Sequence, residues 1–254
     1  MASFLSKLFG SRAAAVEAAS LGALEVDMHS HVLPGLDDGA ETLEHAVDLL
    51  REMQALGYRK LVMTPHIMGD FYKNTPEGVR AALSNLQQAA QDAGITGLEL
   101  ECAAEYYLDE WFGRKLEAAE PLLSFGGSQK YLLFETSYIN EPFNLQETIF
   151  NLKAAGYQPV MAHPERYTYL YGRFEELIRI RESGVLLQVN LNSLSGYYSP
   201  GARHVAEKLI DAGMVDMLGT DAHHRKHTET LRTKVLMAEY LQKALALPLL
   251  NKHL

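Results

Sequence analysis

Nine side chains of the kinds that bind divalent cations recur, block by block, along the chain. They are His29 and His31 in Asp27-Met28-His29-Ser30-His31, then Asp38, His66 in Thr64-Pro65-His66, Glu105 and Glu135. His163 in His163-Pro164-Glu165-Arg166 and Asp221 with His223 in Thr220-Asp221-Ala222-His223 complete the set. Mixed imidazole and carboxylate donors suit zinc, manganese or iron rather than calcium, and a carboxylate can bridge two ions. A His-x-His pair at a strand end turns both rings to one side, because side chains alternate along a strand. Neighbouring ions would lower the pKa of a shared water and neutralise a phosphoryl group in transit, so hydrolysis needs no covalent protein nucleophile. The chemistry read from these residues is multinuclear metal-assisted hydrolysis.

Such residues must be brought together by the elements between them. One phrase recurs: an amphipathic helix, a glycine, then a short apolar strand ending at a polar residue. It appears around Gly57, Gly156, Gly184 and Gly213, and the last strand residues run into His66, His163, Asn190 and Asp221. Glycine suits the left-handed residue that stops a helix. Repeated αβ units argue for a parallel sheet covered by helices. Strands are expected at about 24–28, 59–64, 98–103, 130–135, 158–162, 185–190 and 215–219. Helices are expected near 41–56, 76–93, 143–155, 173–183, 200–212 and 228–245, the second with Thr75 as N-cap and Pro76 in its first turn. Residues 106–129 are less regular, with Gly126-Gly127 closing a loop. In a parallel barrel the C-terminal strand ends carry the active site, and the ligand-type residues fall there. The expected architecture is an α/β fold with one domain over 24–254, preceded by an extension over 1–23.

Composition narrows the partners. The chain of 254 residues carries a formal charge of −9, which argues against a broad nucleic-acid footprint. Four carboxylate ligands bring about −4 and three divalent ions about +6, so a loaded site would attract an anion. The single cysteine, Cys102, excludes an internal disulfide and points to a reducing, cytoplasmic compartment. A cysteine phosphatase loop would need an arginine six residues on, where Leu108 stands; Cys102 reads as a buried apolar filler. Phe4, Leu5, Leu8 and Phe9 share one face of an N-terminal amphipathic segment too short to span a membrane, leaving at most peripheral membrane contact.

The motifs D-M-H-S-H-V-L-P-G-L-D-D-G, T-P-H, A-A-E-Y-Y, L-F-E, H-P-E-R-Y and T-D-A-H resemble those of the polymerase and histidinol phosphatase (PHP) superfamily. The first and fifth resemble more narrowly the bacterial CpsB/CapC-type tyrosine-protein phosphatases of capsule and exopolysaccharide loci. This resemblance covers about residues 24 to 228. It implies a distorted seven-stranded (β/α) barrel with three divalent ions, often manganese, with iron or zinc as alternatives. It assigns His29, His31, Glu105 and Asp221 to one ion, Glu105, Glu135 and His163 to a second, and Asp38, His66 and His223 to the third. Asp37 competes with Asp38 for the last set. Arg166 matches the phosphate-gripping arginine, work to which a guanidinium fork is suited. A second family arginine has no counterpart, since Thr228 occupies its place; Arg225 is the candidate replacement in substrate binding. The implied partner is a phosphotyrosine-bearing tail, as on a bacterial tyrosine kinase.

Other readings stay open at this point. A small-molecule phosphatase acting on histidinol phosphate would share the superfamily, and a metal-stabilised binding module without activity would share the ligands. His45 and His204 read as helix-surface residues, and His224 and His227 as solvated loop residues. Glu165 is an alternative partner for Arg166. Tyr167, Tyr169, Tyr171, Tyr197 and Tyr198 are candidates for a ring-stacking mouth, Asn190 and Asn192 for loop support, and Glu41 for a helix first turn.

Overall fold

A helix that stops on glycine and re-enters a strand is the unit from which the chain is built. The computed structural model describes residues 20–254; the amphipathic face expected around Phe4 to Phe9 lies outside them. In chain order the strands and helices are β1 (Val26–Asp27), α1 (Leu43–Ala55), β2 (Lys60–Met63), β3 (His66–Ile67), α2 (Pro76–Asp92), β4 (Glu99–Cys102), β5 (Glu105–Tyr107) and α3 (Glu110–Glu117). They continue as β6 (Tyr131–Glu135), α4 (Leu145–Ala154), β7 (Gln158–Ala162), α5 (Phe174–Glu182), β8 (Leu186–Asn190), α6 (Pro200–Asp211), β9 (Met217–Gly219), α7 (Arg225–Thr233) and α8 (Glu239–Leu245). Gly57, Gly156, Gly184 and Gly213, after α1, α4, α5 and α6, take φ of 102°, 83°, 91° and 64°.

Every strand pair is parallel, in the orders β1-β2-β4 and β3-β5-β6-β7-β8-β9. Two of the expected strands are each followed by a second, short one, so among the described residues nine strands replace the seven read from the sequence. The register is unchanged across the breaks: Lys60 pairs with Glu99 before them and His66 with Glu105 after. Pro65, which has no N–H to give the ladder, sits in the first gap. The result is a distorted (β/α) barrel.

The seam between β1 and β9 is closed largely by side chains. At its upper end the Asp27 carboxylate accepts from the Thr220 amide at 2.9 Å and the Thr220 hydroxyl at 2.7 Å. Burial pushes Asp27 up to about 7 despite those bonds. Just above, the Asp221 amide donates to the His29 carbonyl (2.8 Å) and the His31 amide to the Ala222 carbonyl (2.9 Å). At the lower end the Asn251 amide donates to the carbonyls of Val26 and Leu218, and its carbonyl accepts from the Leu218 amide. The C-terminal tail thus completes the barrel.

Val26, Met28, Val62, Ala103, Leu133, Val160, Ala162 and Met217 form a small core on one face of the strands, separate from the larger core under the helices. Leu133 shares its strand face with Glu135, so the apolar filling leads straight to a ligand-type side chain.

Elsewhere the sequence reading needs correction. Helix α3 falls within the stretch read as irregular, capped by Asp109, whose carboxylate accepts from the Phe112 amide at 2.8 Å. The last expected helix is divided into α7 and α8, because Ala238 is extended between them. Glu41 lies ahead of the N-cap Thr42 rather than in the first turn of α1. Cys102 is half-buried against the main core rather than fully buried. Among the described residues no helix is long and apolar enough to cross a membrane.

Candidate metal centre

The nine ligand-type residues come from the strand ends and the loops that follow. His29 and His31 follow β1, Asp38 lies in the loop before α1, and His66 and Glu105 open β3 and β5. Glu135 closes β6, His163 follows β7, and Asp221 and His223 follow β9. Their side chains converge. His29 Nε2 lies 3.3 Å from Glu105 Oε2, 3.4 Å from Asp221 Oδ1 and 3.3 Å from His31 Nε2. His31 Nε2 is 3.4 Å from the same two oxygens. His163 Nε2 stands 3.0 Å from Glu105 Oε1. His66 Nδ1 is 3.1 Å from Glu105 Oε2 and 3.0 Å from Glu135 Oε1. Asp38 Oδ1 lies 3.6 Å from His66 Nε2 and 3.5 Å from His223 Nε2.

The chemistry of this donor set fits cations. Bonds of about 2.0–2.2 Å to one ion place neighbouring donors roughly 3–3.5 Å apart, the spacing found here. Glu105 is fully buried and neither of its oxygens has a hydrogen-bond partner, a costly state for a carboxylate without a cation beside it. Three imidazoles are also fixed from behind. His29 Nδ1 is held by the Gln188 side-chain carbonyl at 2.8 Å, His31 Nδ1 by Asp37 at 2.7 Å and His223 Nδ1 by the Asp221 backbone carbonyl at 2.9 Å. Each acceptor claims the Nδ1 proton, so a ring that gives up its second proton on ligation offers Nε2 to the cluster.

The grouping differs in part from the one the resemblance implied. His29, His31 and Asp221 come together, with Glu105 against both imidazoles, and Asp38, His66 and His223 are joined by His31. Glu135, however, groups with His66 and Glu105, whereas His163 groups with His29 and Glu105. Glu105 is common to both.

Asp37 and Asp38 part company. Asp37 accepts from the His31 ring, the Gly39 amide and the His66 amide, so it orients ligands. Asp38 faces the cluster.

The electrostatics favour positive charge. Burial opposes ionisation of His29, but Glu105 and Asp221 prevail and raise it. Burial and His31 oppose the charging of His66, yet Glu105 and Glu135 lift it to about 9. Burial would raise Glu105 and Asp221, but the surrounding imidazoles hold both well below the usual carboxylate range, with Arg166 adding to the pull on Asp221. Strain accompanies function here: His163 and Asp221 take φ of 33° and 50°, a left-handed backbone that non-glycine residues seldom adopt.

A cavity of about 800 Å³ opens over the cluster, lined among others by Asp38, His66, Glu135, His163, Asp221 and His223. Arg166 lines it too, in a 3₁₀ turn (Pro164–Arg166) after β7. Its Nη1 donates to Asp221 Oδ2 at 2.8 Å, and its guanidinium lies 4.7 Å from the Tyr138 ring centre and 4.0 Å from that of Tyr198. Glu165 is not its partner. That carboxylate is fully buried and accepts from the Asn190 amide and the Ser193 hydroxyl.

Arg225 is placed elsewhere. Its side chain is 82% exposed, pairs with Glu52 of α1 at 2.9 Å and does not line the cavity. Thr228 donates to that same carboxylate, so the position is tied to α1. Of the tyrosines expected at the mouth only Tyr198 lines it; Tyr167 is fully buried, with its hydroxyl accepting from the Thr136 amide. The mouth is instead built by Tyr72, Tyr107 and Tyr138, with Phe71 and Ile139 at the rim, residues that no ligand-like spacing marks in the sequence. Asn190 supports the site, donating to Asp221 Oδ2 at 2.6 Å, and Asn192 is fully buried beneath α7. His227 is buried rather than solvated; its Nδ1 accepts from the His223 amide, and burial drops it to about 3.

Known proteins share this arrangement of chain. A tyrosine-protein phosphatase of Bacillus subtilis, YwqE, is 29% identical over 206 residues, covering 79% of this chain and 78% of its own. The Staphylococcus aureus protein described as a putative tyrosine-protein phosphatase, CapC, is 28% identical over 200 residues, covering 78% and 76%. Among solved structures, one from work on Bacillus subtilis YwqE and Streptococcus pneumoniae CpsB, described as unique metal-dependent tyrosine phosphatases, matches with a TM-score of 0.74 and 27% identity over 86% of this chain and 84% of that one. The profile of the capsular polysaccharide synthesis family CpsB/CapC matches residues 25–245, and the chain belongs to that family.

Proposed function

We propose that this chain is a metal-dependent protein-tyrosine phosphatase, its activity carried by a single domain over residues 24–254. The carrying observation is the convergence of nine ligand-type side chains beneath a cavity whose single lysine or arginine among the described residues is Arg166. The names of its relatives support the same reading.

His29, His31, Asp38, His66, Glu105, Glu135, His163, Asp221 and His223 would hold three divalent ions, manganese first, with iron or zinc as alternatives. Bound there, the ions would supply hydroxide at neutral pH and offset phosphoryl charge. The protein's own groups do the rest. Gln188, Asp37 and the Asp221 carbonyl hold the imidazoles in one tautomer. Arg166 presents its guanidinium to the phosphoryl oxygens, an interaction that strengthens as charge develops. The departing phenolate has a pKa near 10, so it leaves with little help from a protein acid.

The mouth favours a protein tail over a metabolite. Phe71 and Ile139 at its rim are 80% and 71% exposed, an apolar surface suited to residues flanking a phosphotyrosine. A phosphorylated tail of a bacterial tyrosine kinase of polysaccharide export is the partner this reading names, in the cytoplasm. Phosphate release from a phosphotyrosine peptide and from histidinol phosphate, with manganese-loaded enzyme, tests it. Turnover of the peptide far above the metabolite is expected; the reverse preference would move the enzyme to small-molecule chemistry.

A further inference from the structure

Among the described residues, Arg166 is the one arginine or lysine that lines the cavity. A phosphoryl group bound there would meet one guanidinium among the described side chains, at the end of a long side chain with about 2 kcal/mol of rotamer entropy to lose. One hydrogen bond, from Nη1 to Asp221 Oδ2, does not fix the plane of that group. Two rings do. Tyr198 and Tyr138 both lie within cation–π range of the guanidinium.

Tyr138 is itself held in place. Its backbone carbonyl accepts from both the amide and the hydroxyl of Thr168, at 2.7 and 2.8 Å. Its ring stacks on His163 with centroids 5.8 Å apart and contacts Tyr167 at the same separation. Tyr198 is anchored through its hydroxyl, which donates to Asp221 Oδ2 and accepts from Asn190 Nδ2, both at 3.3 Å. Tyr138 comes from the loop after β6 and Tyr198 from the loop after β8, so they reach Arg166, after β7, from the neighbouring strands.

We propose that Tyr138 is a positioning residue for phosphate binding: with Tyr198 it clamps the Arg166 guanidinium, so that the donors not engaged by Asp221 face the phosphoryl group. This rests on the phosphatase reading and adds to it a residue that acts through Arg166 rather than on the metals. It also separates two uses of the ring. A ring that stacked on the substrate phenyl would matter only for aryl phosphates, whereas a ring that orients Arg166 matters for any phosphate.

The test uses inorganic phosphate, which has no phenyl group, as a ligand of the metal-loaded full chain, with binding measured calorimetrically and metal content alongside. Tyr138→Ala is expected to weaken phosphate about five- to tenfold with metal content unchanged, and Tyr138→Phe to recover most of that loss. In an Arg166→Ala background, Tyr138→Ala is expected to add little. Unchanged phosphate affinity in Tyr138→Ala would overturn the proposal, as would an undiminished effect in the Arg166→Ala background. A Phe variant as weak as Ala would overturn it too, since the hydroxyl would then be at work. Failure of the parent protein to bind phosphate would instead remove the phosphatase reading on which the inference stands.

Discussion

The two ends of the barrel strands place different residues at their left-handed backbone positions. Where helices enter strands the chain turns through positive φ on glycine, as at Gly57 and Gly156. Where strands open into the cavity, two positive-φ positions carry His163 and Asp221 instead. A left-handed residue with a Cβ costs about 1–2 kcal/mol. At the entry end the four recurring units avoid that cost with glycine, whereas Glu25 and Lys130, just ahead of β1 and β6, bear it. At the cavity end a side chain is required at that point, and the fold carries the strain. Ligand-type side chains gather at the cavity end, and the helix-stopping glycines lie at the other.

The largest effects are expected from breaking the cavity end. Glu105 touches the donors of every adjoining group, so Glu105→Gln should lower turnover by a factor on the order of 10³ or more and reduce bound metal, measured by elemental analysis. His163→Asn sharpens the comparison, since asparagine tolerates left-handed backbone better than histidine. Turnover should fall about a hundredfold, while the metal-stripped variant melts no lower than the stripped parent. A clear loss of stability would show that His163 is not strained. Arg166→Ala should cut kcat/KM about 10²- to 10³-fold with metal content intact. Loss of metal instead would assign Arg166 to the ligand frame through its bond to Asp221.

An intermediate effect is expected from pH. His66 is raised to about 9 and so carries a proton at neutral pH before an ion binds. Ligation must displace that proton, and those of His29 and His31, which are raised too, so apparent metal affinity should rise with pH through the neutral range. The slope should approach about tenfold per pH unit for each proton released. The lowered carboxylates Glu105 and Asp221 stay ionised across this window and add no slope. Metal titrations at several pH values check this; a flat response would contradict the protonated His66.

The smallest effects belong to the entry end. Gly156→Ala meets no atom within 4 Å and bears only the backbone cost at φ 83°, about 1 kcal/mol. Gly57→Ala adds a collision, its Cβ lying 2.8 Å from the Gly22 backbone, and should cost at least about 2 kcal/mol. Denaturant melts measure both, and turnover per folded molecule should not change. Equal losses would mean that the Gly22 segment yields freely.

This division also explains what could be read in advance. The ligand-type residues stood out because each is a distinct chemical type placed after a recognisable strand, and the glycines punctuated the units. What escaped the sequence depends on distant contacts. Asn251 closes the seam by bridging Val26 and Leu218, a role no local pattern encodes. Arg225 faces away because Glu52 on α1 claims it. Asp37 and Asp38 are adjacent and alike, and only the loop geometry turns one toward the His31 ring and the other toward the cluster. Tyr138 carried no signal, since a lone tyrosine in a loop is unremarked until Arg166 lies beneath it. Helix α3 was legible in part through Asp109-Glu110, an N-cap and first-turn acid, but its short length hid it.

The most direct test of the account is to strip the protein with a chelator, then titrate manganese back while following both bound metal and phosphate release from a phosphotyrosine peptide. The account predicts negligible turnover in the stripped protein and recovery that saturates as bound manganese approaches three ions per chain. Full turnover in verified metal-free protein would contradict it.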